Sequence, residues 1–180
     1  MEEEAQFIIR LTQTNTQAQA FRELVTRYKK PLYLHLRTLL LNHDDTDDVL
    51  QNAFIKIFQN IDKFKGDSKL YSWMYRIATN EALTFLKQKA KKQQVSFDEL
   101  SHLQVNQLQE DHLYSGDEVQ ILLQKAVLTL PEKQQLVFKM KYFENMEYQK
   151  MSEILETTVG ALKASYHHAV KKIEVFLKEH

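Results

Sequence analysis

Residues 148–176 read YQKMSEILETTVGALKASYHHAVKKIEVF, and their spacing decides the fold. Met151, Ile154 and Leu155 fall on one side of a short helix from Tyr148 to Leu155. Leu162, Tyr166, Ala169, Ile173 and Phe176 recur every three or four residues on a second helix that begins at Val159. Only Glu156, Thr157 and Thr158 stand between them, and two short helices joined by such a turn read as a helix-turn-helix. The turn lacks the glycine often found there, so the pattern alone leaves open a helical hairpin that binds no DNA. With the apolar stripe of the second helix turned inward, Val159, Lys163, His167 and Lys171 point outward. Early residues of a recognition helix read base edges in the major groove, while lysines contact phosphates and supply salt-dependent affinity.

Upstream, Pro131 suits the first turn of a helix that runs to about Phe143, because its missing donor has no partner there anyway. A further apolar segment covers Val119 to Leu130. Before it, residues 94–116 (QVSFDELSHLQVNQLQEDHLYSG) carry four acids and no Lys or Arg, which predicts a flexible acidic linker. In the first half, Phe21, Leu24, Val25 and Tyr28 form one helical stripe, and Leu50, Phe54, Ile57, Phe58 and Ile61 a second. Leu70, Trp73, Met74 and Ile77 open a third helix that runs into the Lys-rich end at Lys87, Lys89, Lys91 and Lys92. The loop Asp62–Ser68 precedes it, with Asp67 or Ser68 as the expected capping residue. The expected architecture is all-α: a helical domain over 1–93, the linker over 94–116, and a second helical domain with the helix-turn-helix over 117–180.

Composition supports that reading and excludes others. Three glycines and two prolines in 180 residues leave little material for hairpin turns. The prolines Pro31 and Pro131 and the glycines stand as single punctuation marks between long helix-favouring stretches. Without cysteine there are no disulfides, thiolate zinc sites or cysteine nucleophiles, which suits a reducing compartment. The acidic start Met1-Glu2-Glu3-Glu4 differs from a basic secretory signal, and no apolar run approaches the roughly 20 residues of a membrane span. A cytoplasmic protein without membrane insertion is therefore expected. Net charge is zero, which argues against a purely electrostatic nucleic-acid binder.

Three further stretches carry a resemblance. Asp45-Thr46-Asp47-Asp48-Val49-Leu50-Gln51-Asn52-Ala53-Phe54 looks like the acidic D-A-E-D-x-x-Q-x-x-F segment of the extracytoplasmic-function sigma factors of bacterial RNA polymerase. Trp73-Met74-Tyr75-Arg76-Ile77-Ala78-Thr79-Asn80 resembles their W-L-x-R-I-A-x-N, and Leu130-Pro131-Glu132-Lys133-Gln134-Gln135 their L-P-E-x-x-R. The match spans residues 17–92 and 119–178 in the family's order. It implies a transcription initiation factor that binds core RNA polymerase, directs it to promoters and assists DNA melting. Asp45, Asp47, Asp48, Gln51 and Asn52 would then contact the polymerase clamp, with Phe54 and Phe58 holding their helix in its own core.

The resemblance also places Lys63, Lys65, Ser68 and Lys69 in a loop that captures an unstacked base of the minus-ten element. Arg76, Asn80 and Lys87 share a helix face that would follow the same DNA. Val159, Lys163, His167 and Lys171 would meet the minus-35 element. Here the chain departs from the family, since Ser165, His168 and Val170 replace three customary arginines. An anti-sigma factor is an implied further partner.

Other chemistry is absent from the pattern. Adjacent His167 and His168 point about 100° apart on a helix and no further ligand completes a metal site. The glycines are too far apart for a phosphate-binding loop, so neither cofactor nor catalysis is expected. Two rivals stay open on the residues alone: a DNA-binding regulator acting without polymerase, and a helical adaptor that binds only protein.

Overall fold

The computed structural model describes residues 2–96, 99, 100, 103 and 118–180, with side chains from residue 4 onward. Among the described residues it is all helix, without a strand. The N-terminal half holds α1 (Glu2–Thr12), α2 (Gln17–Leu40), α3 (His43–Asn60), a 3₁₀ turn (Ile61–Lys63) and α4 (Leu70–Gln93). The C-terminal half holds α5 (Glu118–Leu128), α6 (Glu132–Phe138), a π-helical turn (Lys139–Phe143), α7 (Tyr148–Leu155) and α8 (Val159–Glu179).

The stripes read from the sequence form the core or pack against it, except for Val25, which is half-buried outside the cluster, and Phe58. Leu24, Leu50, Ile57, Ile61, Leu70 and Met74 are buried, whereas Phe58 keeps 44% of its surface exposed and touches only the edge of the core, ring to ring with Phe21 at 4.9 Å. The expectation that Phe58 is a core residue therefore fails; it lies one position beyond Ile57, outside the inward stripe. Pro31 does not punctuate either, for α2 continues through it. Proline removes one helical hydrogen bond, but Leu32, Leu36, Leu39 and Leu40 downstream are all buried and hold the helix in line.

Helix α1 adds Phe7 and Leu11 to the core and is tied to α2 by Arg10 and Glu23 at 2.9 Å. It also corrects the expected start of α4. The residue flanking α4 is Lys69, whose side chain makes no capping bond, and neither Asp67 nor Ser68 caps it. Glu4 Oε1 instead accepts the Leu70 N–H at 2.9 Å. A carboxylate at a helix N-terminus satisfies an orphan donor and meets the positive end of the macrodipole.

At the other end of α4, Gln94 takes φ 56° and its N–H returns to Ala90 and Lys91 carbonyls. Within the expected linker, Ser96 and Glu99 form a reciprocal capping box, at 2.7 and 3.1 Å, and Leu100 is buried. Val95 packs on the core and Leu103 is exposed; the other residues of that linker lie outside the described residues.

In the C-terminal half, Pro131 sits at the cap position and Glu132 begins the helix. The buried Gln135 amide donates to the Leu128 and Leu130 carbonyls at 3.2 and 2.9 Å, closing the end of α5. Ala126, Val127, Leu130, Phe138, Ala169 and Ile173 form a local core. The glycine missing from the helix-turn-helix is replaced by Glu156, which itself adopts φ 51° and sends its N–H to Ser152. Thr158 Oγ1 then caps α8 by accepting the Ala161 N–H at 3.2 Å.

The two halves pack on each other. Leu136, Val137, Met140, Met146, Met151, Ile154 and Leu162 join the buried cluster that contains Leu36, Met74 and Ala78. Polar groups cross the same seam. His35 Nδ1 lies 2.9 Å from both Glu144 oxygens and its Nε2 lies 2.8 Å from Thr79 Oγ1. Lys139, buried on the π-helical turn, reaches the Leu39 carbonyl at 3.3 Å near the negative end of α2.

Candidate nucleic-acid interface

Three surfaces carry the residues singled out by sequence. The first is the outer face of α3. Asn42 Oδ1 caps it by accepting the Asp45 N–H at 2.9 Å, and the acids of its first turn complement the dipole. Asp47, Asp48, Gln51 and Asn52 are exposed. Asp45 is set apart from them: it is half-buried and ion-paired with Lys89 of α4. Sequence reasoning missed the apolar part of this face. Ile55 and Phe58 are 47% and 44% exposed and follow Gln51 by four and seven residues, so they extend one ridge of the helix.

The second surface is the loop before α4 together with one side of α4. Lys63, Lys65 and Lys69 are exposed and Ser68 is half-buried. Lys63 Nζ is held by Asn60 Oδ1 at 3.0 Å. A cavity of about 380 Å³ opens here, lined by Lys63, Lys65, Ser68, Trp73, Arg76 and, from the C-terminal half, Glu156. Phe64 and Trp73 pack at 5.2 Å to form its aromatic wall.

Arg76, Asn80 and Lys87 do share a side of α4, and that side faces the C-terminal half. Arg76 donates from Nη1 to Glu156 Oε1 and from Nη2 to the Glu153 carbonyl, each at 2.7 Å. Lys87 Nζ lies 3.2 Å from Glu132, and Ser72 Oγ donates to Glu153 Oε2 at 2.5 Å. Asn80, though exposed, lines a second cavity of about 330 Å³ with Glu132, Ala161 and Ser165.

The third surface is α8. Leu162, Ala169 and Ile173 are buried, while Lys163, His167 and Lys171 are exposed and Val159 is half-buried at the start of the helix. Lys163 also stands 5.8 Å over the Tyr148 ring of α7, which fixes the two helices of the motif against each other. The Tyr148 and Tyr166 hydroxyls have their pKa values raised, first by burial. Both therefore stay neutral donors beside this face.

A helical half with an acid-led polar face is followed by a helix-turn-helix half, and comparison with known proteins gives this arrangement its class: the promoter-recognition subunits of RNA polymerase. The Sigma-70 region 2 family model matches residues 24–92 and the Sigma-70, region 4 model matches residues 120–173. The ECF RNA polymerase sigma factor SigW of Bacillus subtilis is 31% identical over 89% of this chain and 90% of its own length. The ECF RNA polymerase sigma-E factor of Haemophilus influenzae is 28% identical over 86% of each chain. Among solved structures, CnrH in complex with the cytosolic domain of CnrY superposes with a TM-score of 0.68 at 18% identity, covering 98% of this chain and 97% of the other. The sigma factor RpoE of Bartonella quintana, solved with the anti-sigma factor NepR, gives 0.62 at 18% identity, covering 88% and 96%.

The chain belongs to the ECF family of RNA polymerase sigma factors. It is a promoter-directing transcription initiation factor. Among the described residues, no helix is long and apolar enough to cross a membrane.

Proposed function

We propose that the three surfaces divide the work of initiation. Asp47, Asp48, Gln51 and Asn52, extended by Ile55 and Phe58, dock on core polymerase. The cavity beside Lys63, Lys65, Ser68 and Lys69 takes an unstacked base, and the α4 side of Arg76, Asn80 and Lys87 follows the melted minus-ten strand. Val159, Lys163, His167 and Lys171 of α8 meet the upstream element. Asp45, paired with Lys89, orients α3 from within. The protein acts in the cytoplasm, catalyses no reaction itself, and requires no cofactor.

The observation that carries this reading is α8. Its basic residues stand in solvent on the side opposite Leu162, Ala169 and Ile173, directly after a three-residue turn, as major-groove docking requires. An anti-sigma partner is proposed from the two solved relatives, each held by such a protein or by the cytosolic domain of its partner. Reconstitution with core RNA polymerase followed by sequencing of transcript starts tests the whole: starts clustered at one promoter class are expected, and random starts overturn it. Gln51→Ala with Asp48→Lys should weaken core binding by about tenfold or more, the scale of well-placed interface residues. Undiminished co-purification with core removes α3 from the polymerase interface.

A further inference from the structure

The C-terminal half answers the DNA-facing side of α4 with acids. Glu153 and Glu156 come from α7 and its C-cap, and Glu132 from the start of α6. Each sits on a group of α4 or its neighbour turn: Glu156 and the Glu153 carbonyl on the Arg76 guanidinium, the Glu153 carboxylate on Ser72, and Glu132 on Lys87. The Arg76 guanidinium is held at 2.7 Å by a carboxylate oxygen and by a backbone carbonyl, and donors engaged in this way are not open to a phosphate oxygen. Glu156 also borders the cavity that Lys63, Lys65 and Ser68 line.

We propose that Glu132, Glu153 and Glu156 form an internal mimic of the promoter strand, occupying the α4 side in the free chain and leaving it before DNA can enter. The proposal rests on the assignment of α4 to DNA made above. The two surfaces compete for the same donors, so binding of one excludes the other.

The seam is built to open. Glu156 is 69% exposed and Lys87 62%, so solvent screens both ion pairs and each contributes little. Lys139 is buried in the same seam with one long bond to a carbonyl, and burial lowers its pKa to about 8. Burying a charge so sparsely bonded opposes closure. The apolar residues Leu136, Val137, Met151 and Ile154 hold the halves together, and the polar groups set how easily they part. Glu156 further adopts φ 51°, a conformation that side chains other than glycine rarely take, and in it the carboxylate reaches Arg76.

The test uses the full chain. It has no native cysteine, so Thr84→Cys on α4 and Ala164→Cys on α8 admit a dye pair across the seam. Glu153→Gln with Glu156→Gln should lower energy transfer and bind a labelled single-stranded dT oligonucleotide about tenfold tighter, the gain that loss of two partly exposed contacts allows. Adding Arg76→Ala should abolish that gain. Glu118→Gln with Glu179→Gln, which removes the same charge elsewhere, should do neither. Glu156→Gln alone, at an exposed position, gives a smaller shift in the same direction and guards against misfolding of the double variant. Unchanged affinity, an equal gain in the control, or a gain that survives Arg76→Ala overturns the mimic. Promoter opening by the Arg76→Ala holoenzyme separates the two readings. If opening is lost while the Gln variants change nothing, α4 remains the DNA face and the mimic alone falls. If opening is as in the wild type, the assignment of α4 falls and the mimic with it.

Discussion

Helices α4 and α8 both carry basic residues on one side, and the structure presents them in opposite ways. On α8, Lys163, His167 and Lys171 stand in solvent, with no acid among the described residues paired to them. On α4, Arg76 and Lys87 are already paired with carboxylates of the other half, and Ser72 is buried beneath one. The difference follows from which core each helix serves. Helix α8 packs mainly on its own half, reaches the shared cluster through Leu162, and keeps Lys163, His167 and Lys171 in solvent. Helix α4 packs one side on α2 and α3, and what is outward with respect to those helices is inward with respect to the C-terminal half. On the assignment proposed above, the free chain has one DNA face ready and the other closed.

The largest effect expected is on α4. Replacing Asn80 and Lys69 by Ala should abolish open-complex formation on duplex promoter while upstream binding through α8 persists. Extruding a base costs a few kcal/mol, which the loop and α4 must return. A template already melted over the minus-ten region no longer carries that cost and should restore much of the transcription. Permanganate reactivity of unpaired thymines measures the step directly. Reactivity at the level of the wild type in the double variant would break the comparison, leaving α8 as the DNA face.

Next in size is the cost of the closed seam. The drop of the Lys139 pKa from 10.5 to about 8 corresponds to ~3 kcal/mol against the charged form at neutral pH. The unfolded chain binds that proton more tightly than the folded one, so folding releases it between these two values. Stability therefore rises with pH from about 8 to 10.5 through this group. Lys139→Met should raise the melting temperature at pH 7 and remove the rise between pH 8 and 10. The comparison of variant with wild type cancels the tyrosines, whose raised values act in the opposite direction above pH 10. An identical pH profile in the two proteins would show that Lys139 finds water in solution.

Much of this was legible. Tyr148–Leu155 and the start of α8 at Val159 match the reading of the stripe to the residue, because Met151, Ile154, Leu162 and Ala169 have a single inward direction to choose. The exposed Asp47, Asp48, Gln51 and Asn52 of α3 were legible through the resemblance of their segment, whereas the stripe there misplaced Phe58. Two kinds of feature were not. Helix α1 offers only Phe7 and Leu11 as buried signal, and its role as a cap for α4 through Glu4 joins residues 66 positions apart. The meeting of Arg76 with Glu156 spans 80 residues between two separately patterned halves, and no local periodicity records which faces of two domains meet.

A smaller effect tests how firmly α8 is held ready. Thr158→Ala removes the side-chain cap on the Ala161 N–H and should cost about 1 kcal/mol, within the usual range for such caps. Urea unfolding measures it, and an unchanged midpoint would mean that water takes the place of the hydroxyl. Because the cap sits at the start of the recognition helix, upstream DNA affinity should fall together with stability.

The smallest effect expected is the most discriminating, since it reads the exposed face of α8 phosphate by phosphate. Lys163 and Lys171 lie on one side of the helix and are both exposed, so each can release counterions from the duplex when it docks. Removing one phosphate contact lowers the slope of log K against log salt by about 0.9 for duplex DNA. Lys163→Ala should remove that amount and Lys171→Ala the same again, with only a modest loss of affinity at physiological salt. Lys163 also stands over the Tyr148 ring, so part of its effect could come from loosening α7 against α8. Lys163→Arg separates the two contributions: it keeps the charge and the ring contact, and should restore the slope. If both Ala variants leave slope and affinity untouched in the full chain, then α8 is exposed without being used. The contrast between a ready helix and a covered one would then be a contrast of packing alone.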